Sequence, residues 1–281
     1  SIPRRKLDAI KLPSIDPGKL SAADLLTSEE VMKILEACTN SRNRALFSML
    51  YEGGFRIGEV ATMRWGALKF DSAGVVANVV FKTNKPRYIR LIMCRDYLAK
   101  WKSDYPLEIT PDAFVFLSNR KEMLKYPAVV RILDRIIYNA GIEKRVNLHL
   151  FRHSRATHLI QQGVPDSVIK MMLWGSVNAG SFSTYAHLAG TDVDREICKL
   201  YGIKPAHTNE KEKAVQPKIC PYCHEICGPV SRFCSACGQV LTDDEINSDD
   251  ELKRWLIENQ AYITAYLNKL NASGVIQSPR P

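Results

Sequence analysis

HLFRHSRATHL, residues 149–159, sets His149 and Arg152 three positions apart. Asn147 upstream is a good N-cap residue and Gly163 downstream a stop signal, so the stretch reads as a helix. On a helix, residues three apart project from the same face, and a His and an Arg there can converge on one phosphate. An isolated HxxR pair has little specificity and is usually a pair of surface neighbours. What raises it is the company it keeps in the rest of the chain.

Outward from that helix, three further segments carry chemistry-bearing residues: YEGGFRIGEV (51–60), FKTNKPR (81–87) and STYAH (183–187). Upstream, Thr27 and Glu30 have capping-box spacing and are followed by Val31, Ile34, Leu35 and Cys38 at helical period. A second helical stretch covers 43–52 and is stopped by Gly53-Gly54, and a third begins at Ile57. VVANVVF (75–81) and YIRLIM (88–93) are rich in β-branched and aromatic residues and flank a turn-prone TNKP, which reads as a hairpin with Lys82, Lys85 and Arg87 at its tip. A helix near 95–103, a short FVFL strand (114–117), a helix over 127–140 and another from Pro165 to Trp174 complete the pattern. The expected fold class is mainly α with a small antiparallel β-sheet.

The chain has 281 residues, 46% of them hydrophobic, and a net charge of +9. Residues 1–205 hold 31 Lys+Arg against 20 Asp+Glu, whereas 206–281 hold 8 against 10. Positive charge concentrated on the larger part fits a phosphate-binding surface, without implying sequence specificity. No apolar run reaches the roughly 18 residues of a membrane helix, and the first 20 residues lack a signal-peptide core. The protein is therefore expected to be cytoplasmic, with no membrane partner.

As an ordered set, these motifs resemble the catalytic domain of the tyrosine recombinase, or phage integrase, family over about residues 25–203. The resemblance implies a site-specific enzyme that cuts and rejoins double-stranded DNA through a 3′-phosphotyrosyl intermediate, working with other protomers of itself in a synaptic assembly. It implies no catalytic metal and no nucleotide. Carried over, Arg56 and Arg152 bind the scissile phosphate, and Lys82 rather than Lys85 is the general acid for the leaving 5′ oxygen. Arg87 contacts phosphate, and His149 orients the phosphate or takes the tyrosine proton. Tyr185, in the YxH pattern Tyr185-Ala186-His187, is the nucleophile. His153 and His158 are expected to serve helix packing. One position departs from the family pattern: LWGS stands where many relatives have LGHS. Trp174 is then the phosphate-facing residue of the family's Trp variant, or simply core packing. Relatives also carry an N-terminal clamp domain, for which nothing before Thr27 suffices, so the chain is expected to lack it. Type IB topoisomerase chemistry and a non-catalytic assembly factor remain as alternatives.

The other distinctive element is cysteine. CPYC (220–223) and CSACG (234–238) are two CxxC knuckles with ten residues between them, the spacing of a structural zinc site. They resemble a zinc ribbon, implying one structural Zn²⁺ on Cys220, Cys223, Cys234 and Cys237, with Cys227 and His224 as spares. The expected organisation is a linker (1–24), a catalytic domain (25–205), a second linker (206–217), the ribbon (218–242) and an amphipathic C-terminal helix and tail (243–281). In the tail, Leu252, Leu256, Ile263, Tyr266, Leu267 and Leu270 line one side.

Overall fold

A computed structural model describes residues 21–80, 86–179, 182 and 214–241. The chain divides into two compact units, Ser1–Pro217 with Gly228–Val230, and Lys218–Cys227 with Ser231–Pro281. The tail helix expected after 243 lies outside the described residues, as do Lys82 and Tyr185.

In the first unit the Thr27–Glu30 capping box forms as the spacing predicts: Glu30 N donates to Thr27 Oγ1 and Thr27 N to the Glu30 carboxylate, opening α1 (Ser28–Glu36). Asn40 caps α2 (Ser41–Glu52), whose residues from Ala45 to Glu52 are all buried. The short α3 (Ile57–Ala61) follows at once. Three antiparallel strands come next in the order β1 (Leu68–Asp71), β2 (Gly74–Val79), β3 (Arg87–Leu91), with Val79 opposite Arg87 and Val75 opposite Leu91. The helices α4 (Arg95–Ser103), α5 (Tyr126–Asn139), α6 (Leu148–Gln161) and α7 (Asp166–Trp174) then complete the unit.

Helix α2 is the central element and packs against α1, α4 and α6. Phe47 of α2 stacks on Phe151 of α6 with ring centroids 5.7 Å apart. Its last residue, Glu52, is buried and accepts from Ile92 N, Met93 N and Cys94 N at 2.5, 2.9 and 2.8 Å. A carboxylate that satisfies three backbone donors pins the end of the sheet to the end of α2.

Two expectations need correction. FVFL does not form a strand; Phe114 and Leu117 make only isolated bridges. Side chains take two of its carbonyls, Trp101 Nε1 donating to Val115 O at 2.7 Å and Tyr105 Oη to Phe114 O at 2.5 Å, while Val115 N donates to Met63 O and Phe116 O accepts from Leu124 N, so its backbone meets two different segments by single bonds and no ladder extends. The sheet also has a third strand, β1, which the sequence pattern did not announce because three of its four residues are exposed.

In the second unit β4 (Lys218–Ile219) pairs with β5 (Ile226–Cys227). Its two CxxC turns are built alike. His224 N donates to Cys220 O and Gly238 N to Cys234 O, at 3.0 and 2.9 Å, while Cys220 N donates to Glu225 O and Cys234 N to Gln239 O. His224 and Gly238 follow the second cysteine of each turn and have φ of 60° and 77°.

Candidate active site

The loop after α2 is where the site begins. Gly54 has φ +56°, and a Cβ on it would lie 2.4 Å from Leu173 Cδ2, so only glycine fits both the backbone and the space. That close approach seats the C-terminal end of α7 against the loop that leads into Arg56. Arg152, buried on α6, closes the contact by donating through Nη1 to Gly54 O at 2.5 Å and through Nη2 to Leu173 O at 2.7 Å. Its guanidinium also faces the Trp174 ring, 5.1 Å from the centroid.

Arg56 begins α3 as its N-cap. Its backbone N donates to Glu59 Oε2 at 2.8 Å and its Nη1 to Glu59 Oε1 at 3.2 Å, which leaves the side chain one-third exposed. The same Glu59 oxygen pairs with Arg87 Nη2. Arg87 in turn donates through Nη1 to Leu173 O at 2.5 Å and Met172 O at 3.1 Å. One continuous set of contacts therefore runs from Arg56 through Glu59, Arg87 and the Leu173 carbonyl to Arg152 and back to Gly54, two residues before Arg56.

Of the residues singled out from the sequence, the structure brings together Arg56, Arg152 and Trp174 in this way. His149 is exposed on the first turn of α6, and at i,i+3 it shares a face with Arg152. Trp174 is half-buried, edge-on to Phe182 at 6.3 Å, and ends α7 because Gly175 takes the left-handed C-cap conformation (φ 67°). Arg87 corrects an expectation: rather than facing phosphate, its side chain is only 4% exposed and is spent on Glu59 and two helix carbonyls. The reason is strand period, since residues 87, 89 and 91 all point to the buried face of β3. Glu59 was missed altogether, although its spacing from Arg56 has the form of a capping box.

The neighbouring histidines pack as expected. His158 Nδ1 lies 2.8 Å from Tyr51 Oη, both buried. His153 has its pKa pushed below the usual histidine range, first by burial and then by the positive neighbours His149 and Arg152.

In the second unit the four knuckle sulfurs of Cys220, Cys223, Cys234 and Cys237 all lie within 4.8 Å of one another. Cys220 Sγ is 3.6 Å from Cys237 Sγ, and Cys223 Sγ 3.5 Å from Cys234 Sγ. Zn–S bonds of about 2.3 Å at tetrahedral angles require sulfurs roughly 3.8 Å apart, so the donor set fits a metal ion. Burial pushes the Cys234 thiol up, but the backbone amides of Cys237 and Ala236 and the Cys223 sulfur outweigh it and bring the thiol down to about 6. Cys227, buried in β5 with its thiol toward Glu225 O, packs with Cys220 and Cys234 but is not one of the four converging sulfurs.

With the fold and these contacts in place, the chain belongs to the phage integrase family, whose model matches residues 24–191. It is 31% identical over 191 residues to Transposase A from transposon Tn554 of Staphylococcus aureus, covering 62% of this chain and 51% of that protein. It is also 31% identical over 180 residues to a tyrosine recombinase of Pseudothermotoga lettingae, covering 63% of this chain and 60% of that one. The chain thus spans about half to three-fifths of the length of these relatives. Among solved structures, it resembles the XerA recombinase with a TM-score of 0.54 at 24% identity, covering 64% of this chain and 66% of that one. It likewise resembles the XerH site-specific recombinase bound to difH substrate before cleavage, with a TM-score of 0.54 at 22% identity, covering 64% and 54%. The mainly helical fold with its small antiparallel sheet is that of the tyrosine recombinase catalytic domain. No helix among the described residues is long and apolar enough to cross a membrane.

Proposed function

We propose that this chain is the strand-transfer portion of a site-specific DNA recombinase or integrase, acting on duplex DNA together with further copies of itself. The observation that carries the reading is the tie between Arg152 and the loop before Arg56, through Gly54 O at 2.5 Å. It ties the buried guanidinium of Arg152 to the loop that carries the one-third-exposed guanidinium of Arg56, and neither can lose its proton near neutral pH.

In the proposed reaction the Tyr185 oxygen attacks the scissile phosphorus, giving up its proton with help from His149. The P–O5′ bond breaks as the P–O(Tyr185) bond forms, and Lys82 protonates the departing 5′ oxygen. Arg56 and Arg152 stabilise the charge on the non-bridging oxygens, the kind of preorganised electrostatic effect that usually supplies the largest part of such catalysis. Trp174 donates its single indole N–H toward a phosphate oxygen and packs beneath Arg152. A 5′-hydroxyl from another strand then attacks the phosphotyrosyl linkage and restores Tyr185, so one phosphodiester is exchanged for another and no energy source is consumed.

The cysteine cluster we read as a structural Zn²⁺ site formed by Cys220, Cys223, Cys234 and Cys237. The metal would replace the hydrophobic core that a segment this short lacks. We assign residues 25–205 to the catalytic domain and 218–242 to the ribbon, joined by a polar linker over 206–217.

Incubation with a randomised duplex library, followed by denaturing capture of covalent protein–DNA adducts, tests the function. Adducts with the unaltered chain and none with Tyr185→Phe support it. Site-independent relaxation of supercoiled plasmid would instead indicate topoisomerase chemistry, and no adduct at all would contradict strand transfer.

A further inference from the structure

Arg87, like Arg152, is an almost fully enclosed cation of the site. It stands on the apolar face of β3 and contacts Glu59, Met172 O and Leu173 O. Each contact bears on one of the two arginines proposed to bind phosphate. Glu59 is 1% exposed, and a carboxylate that far from water demands a cation. Among the described residues Arg56 is the other cation paired with Glu59, so without Arg87 that demand would fall on it, drawing its guanidinium inward and directing its charge to Glu59. With Arg87 as the closer partner, Arg56 keeps one side-chain contact among the described residues, at 3.2 Å, and remains one-third exposed.

The second contact works on Arg152. Leu173 O belongs to the last turn of α7, where helix carbonyls lack an intrahelical donor. It accepts from Arg87 at 2.5 Å and from Arg152 at 2.7 Å, using both lone pairs. Arg87 therefore fixes the carbonyl that fixes Arg152, and the same turn carries Trp174.

We propose that Arg87 is a positioning residue that sets both phosphate-binding arginines at once: it neutralises Glu59 so that the charge of Arg56 faces outward, and it holds the Leu173 carbonyl that orients Arg152. The inference rests on the strand-transfer reading given above. In this role Arg87 acts through Glu59 and the Leu173 carbonyl, not on the phosphate itself.

The test uses the full chain, a duplex recovered from a randomised library by covalent capture, and that same duplex with a neutral methylphosphonate at the scissile position. Removing the phosphate charge removes the need for arginine neutralisation, so Arg56→Ala serves as the reference. Arg87→Gln is expected to slow single-turnover adduct formation about 100-fold on the phosphate duplex, with DNA affinity unchanged. On the methylphosphonate duplex it should come within about fivefold of the unaltered chain, as Arg56→Ala should. Should Arg87→Gln not fold, Arg87→Lys decides, because it keeps a positive charge beside Glu59 while losing the fork that reaches both carbonyls. An Arg87 defect that is equally large on both duplexes, while Arg56→Ala recovers, overturns the inference alone. Failure of Arg56→Ala to recover overturns the role of the arginines, and absence of capture by the unaltered chain overturns the strand-transfer reading. In either case the inference falls with it.

Discussion

Arg152 donates to the carbonyl of Gly54 at 2.5 Å, across 98 residues of sequence, and this one bond joins the HxxR helix to the loop that presents Arg56. Both ends are buried, so its loss is not repaired by water. Arg152→Ala should lower stability by about 1–3 kcal/mol by leaving Gly54 O without its donor. Arg152→Lys should recover little, because one ammonium cannot reach both carbonyls that the guanidinium spans. Urea unfolding of the two variants checks this, with equal stability of Arg152→Lys and the unaltered chain as the outcome against it.

The fit between Gly54 and Leu173 predicts non-additivity. Gly54→Ala forces a side chain into a left-handed position, costing ~1–2 kcal/mol, and adds a clash with Leu173 Cδ2 at 2.4 Å. Leu173→Ala should cost ~2–5 kcal/mol through its cavity. In the double variant the clash disappears, so the total should fall short of the sum by about 1 kcal/mol or more. Simple additivity in denaturant titrations would show that the two residues do not meet.

His153 gives the first unit an acid-sensitive contribution. Its folded-state pKa lies below the 6.5 of an unperturbed histidine, so below pH 6.5 the unfolded chain binds the proton more readily than the folded one. Stability from this group is whole above pH 6.5 and declines as pH falls toward the depressed value. His153→Gln should flatten the decline that sets in as pH falls below about 6.5. Parallel stability–pH curves for the two proteins would rule the contribution out.

The two knuckles of the cysteine cluster predict opposite effects of glycine. Nothing lies within 4 Å of a Cβ built on Gly238, so Gly238→Ala pays only for its φ of 77°, about 1–2 kcal/mol. His224 already bears that penalty at φ 60°. His224→Gly should therefore tighten zinc binding by several-fold, whereas Gly238→Ala should weaken it by roughly tenfold, an assignment that follows from the positive-φ cost. Competition against a chelator measures both, and the same direction for both variants would contradict the knuckle geometry.

The elements that announced themselves in the sequence were those whose signal is local. The Thr27–Glu30 box, the Asn147 cap and the β2–β3 hairpin rest on spacings of a few residues, and the CxxC knuckles converge because each turn is built by its own backbone. What stayed hidden depends on partners far apart. Arg87 looks like one more cation of a basic hairpin until its partner at 59 and its acceptors at 172 and 173 come together around it. Yet Arg87, Ile89 and Leu91 alternate toward one face, and that period-two pattern was a usable warning that the arginine points inward. FVFL misled for the opposite reason: its composition favours a strand, but Trp101 and Tyr105 take two of its carbonyls and its backbone bonds are split between Met63 and Leu124.

Whether Tyr185 carries the DNA is the central question, and peptide mapping of the covalent adduct answers it most directly. After capture on the selected duplex, nuclease trimming and proteolysis, tandem mass spectrometry should find a 3′-nucleotide on the phenol oxygen of Tyr185, in the peptide containing STYAH (183–187), and on no other residue. A nucleotide on any other of the eleven tyrosines, or on a serine or histidine, would contradict the account.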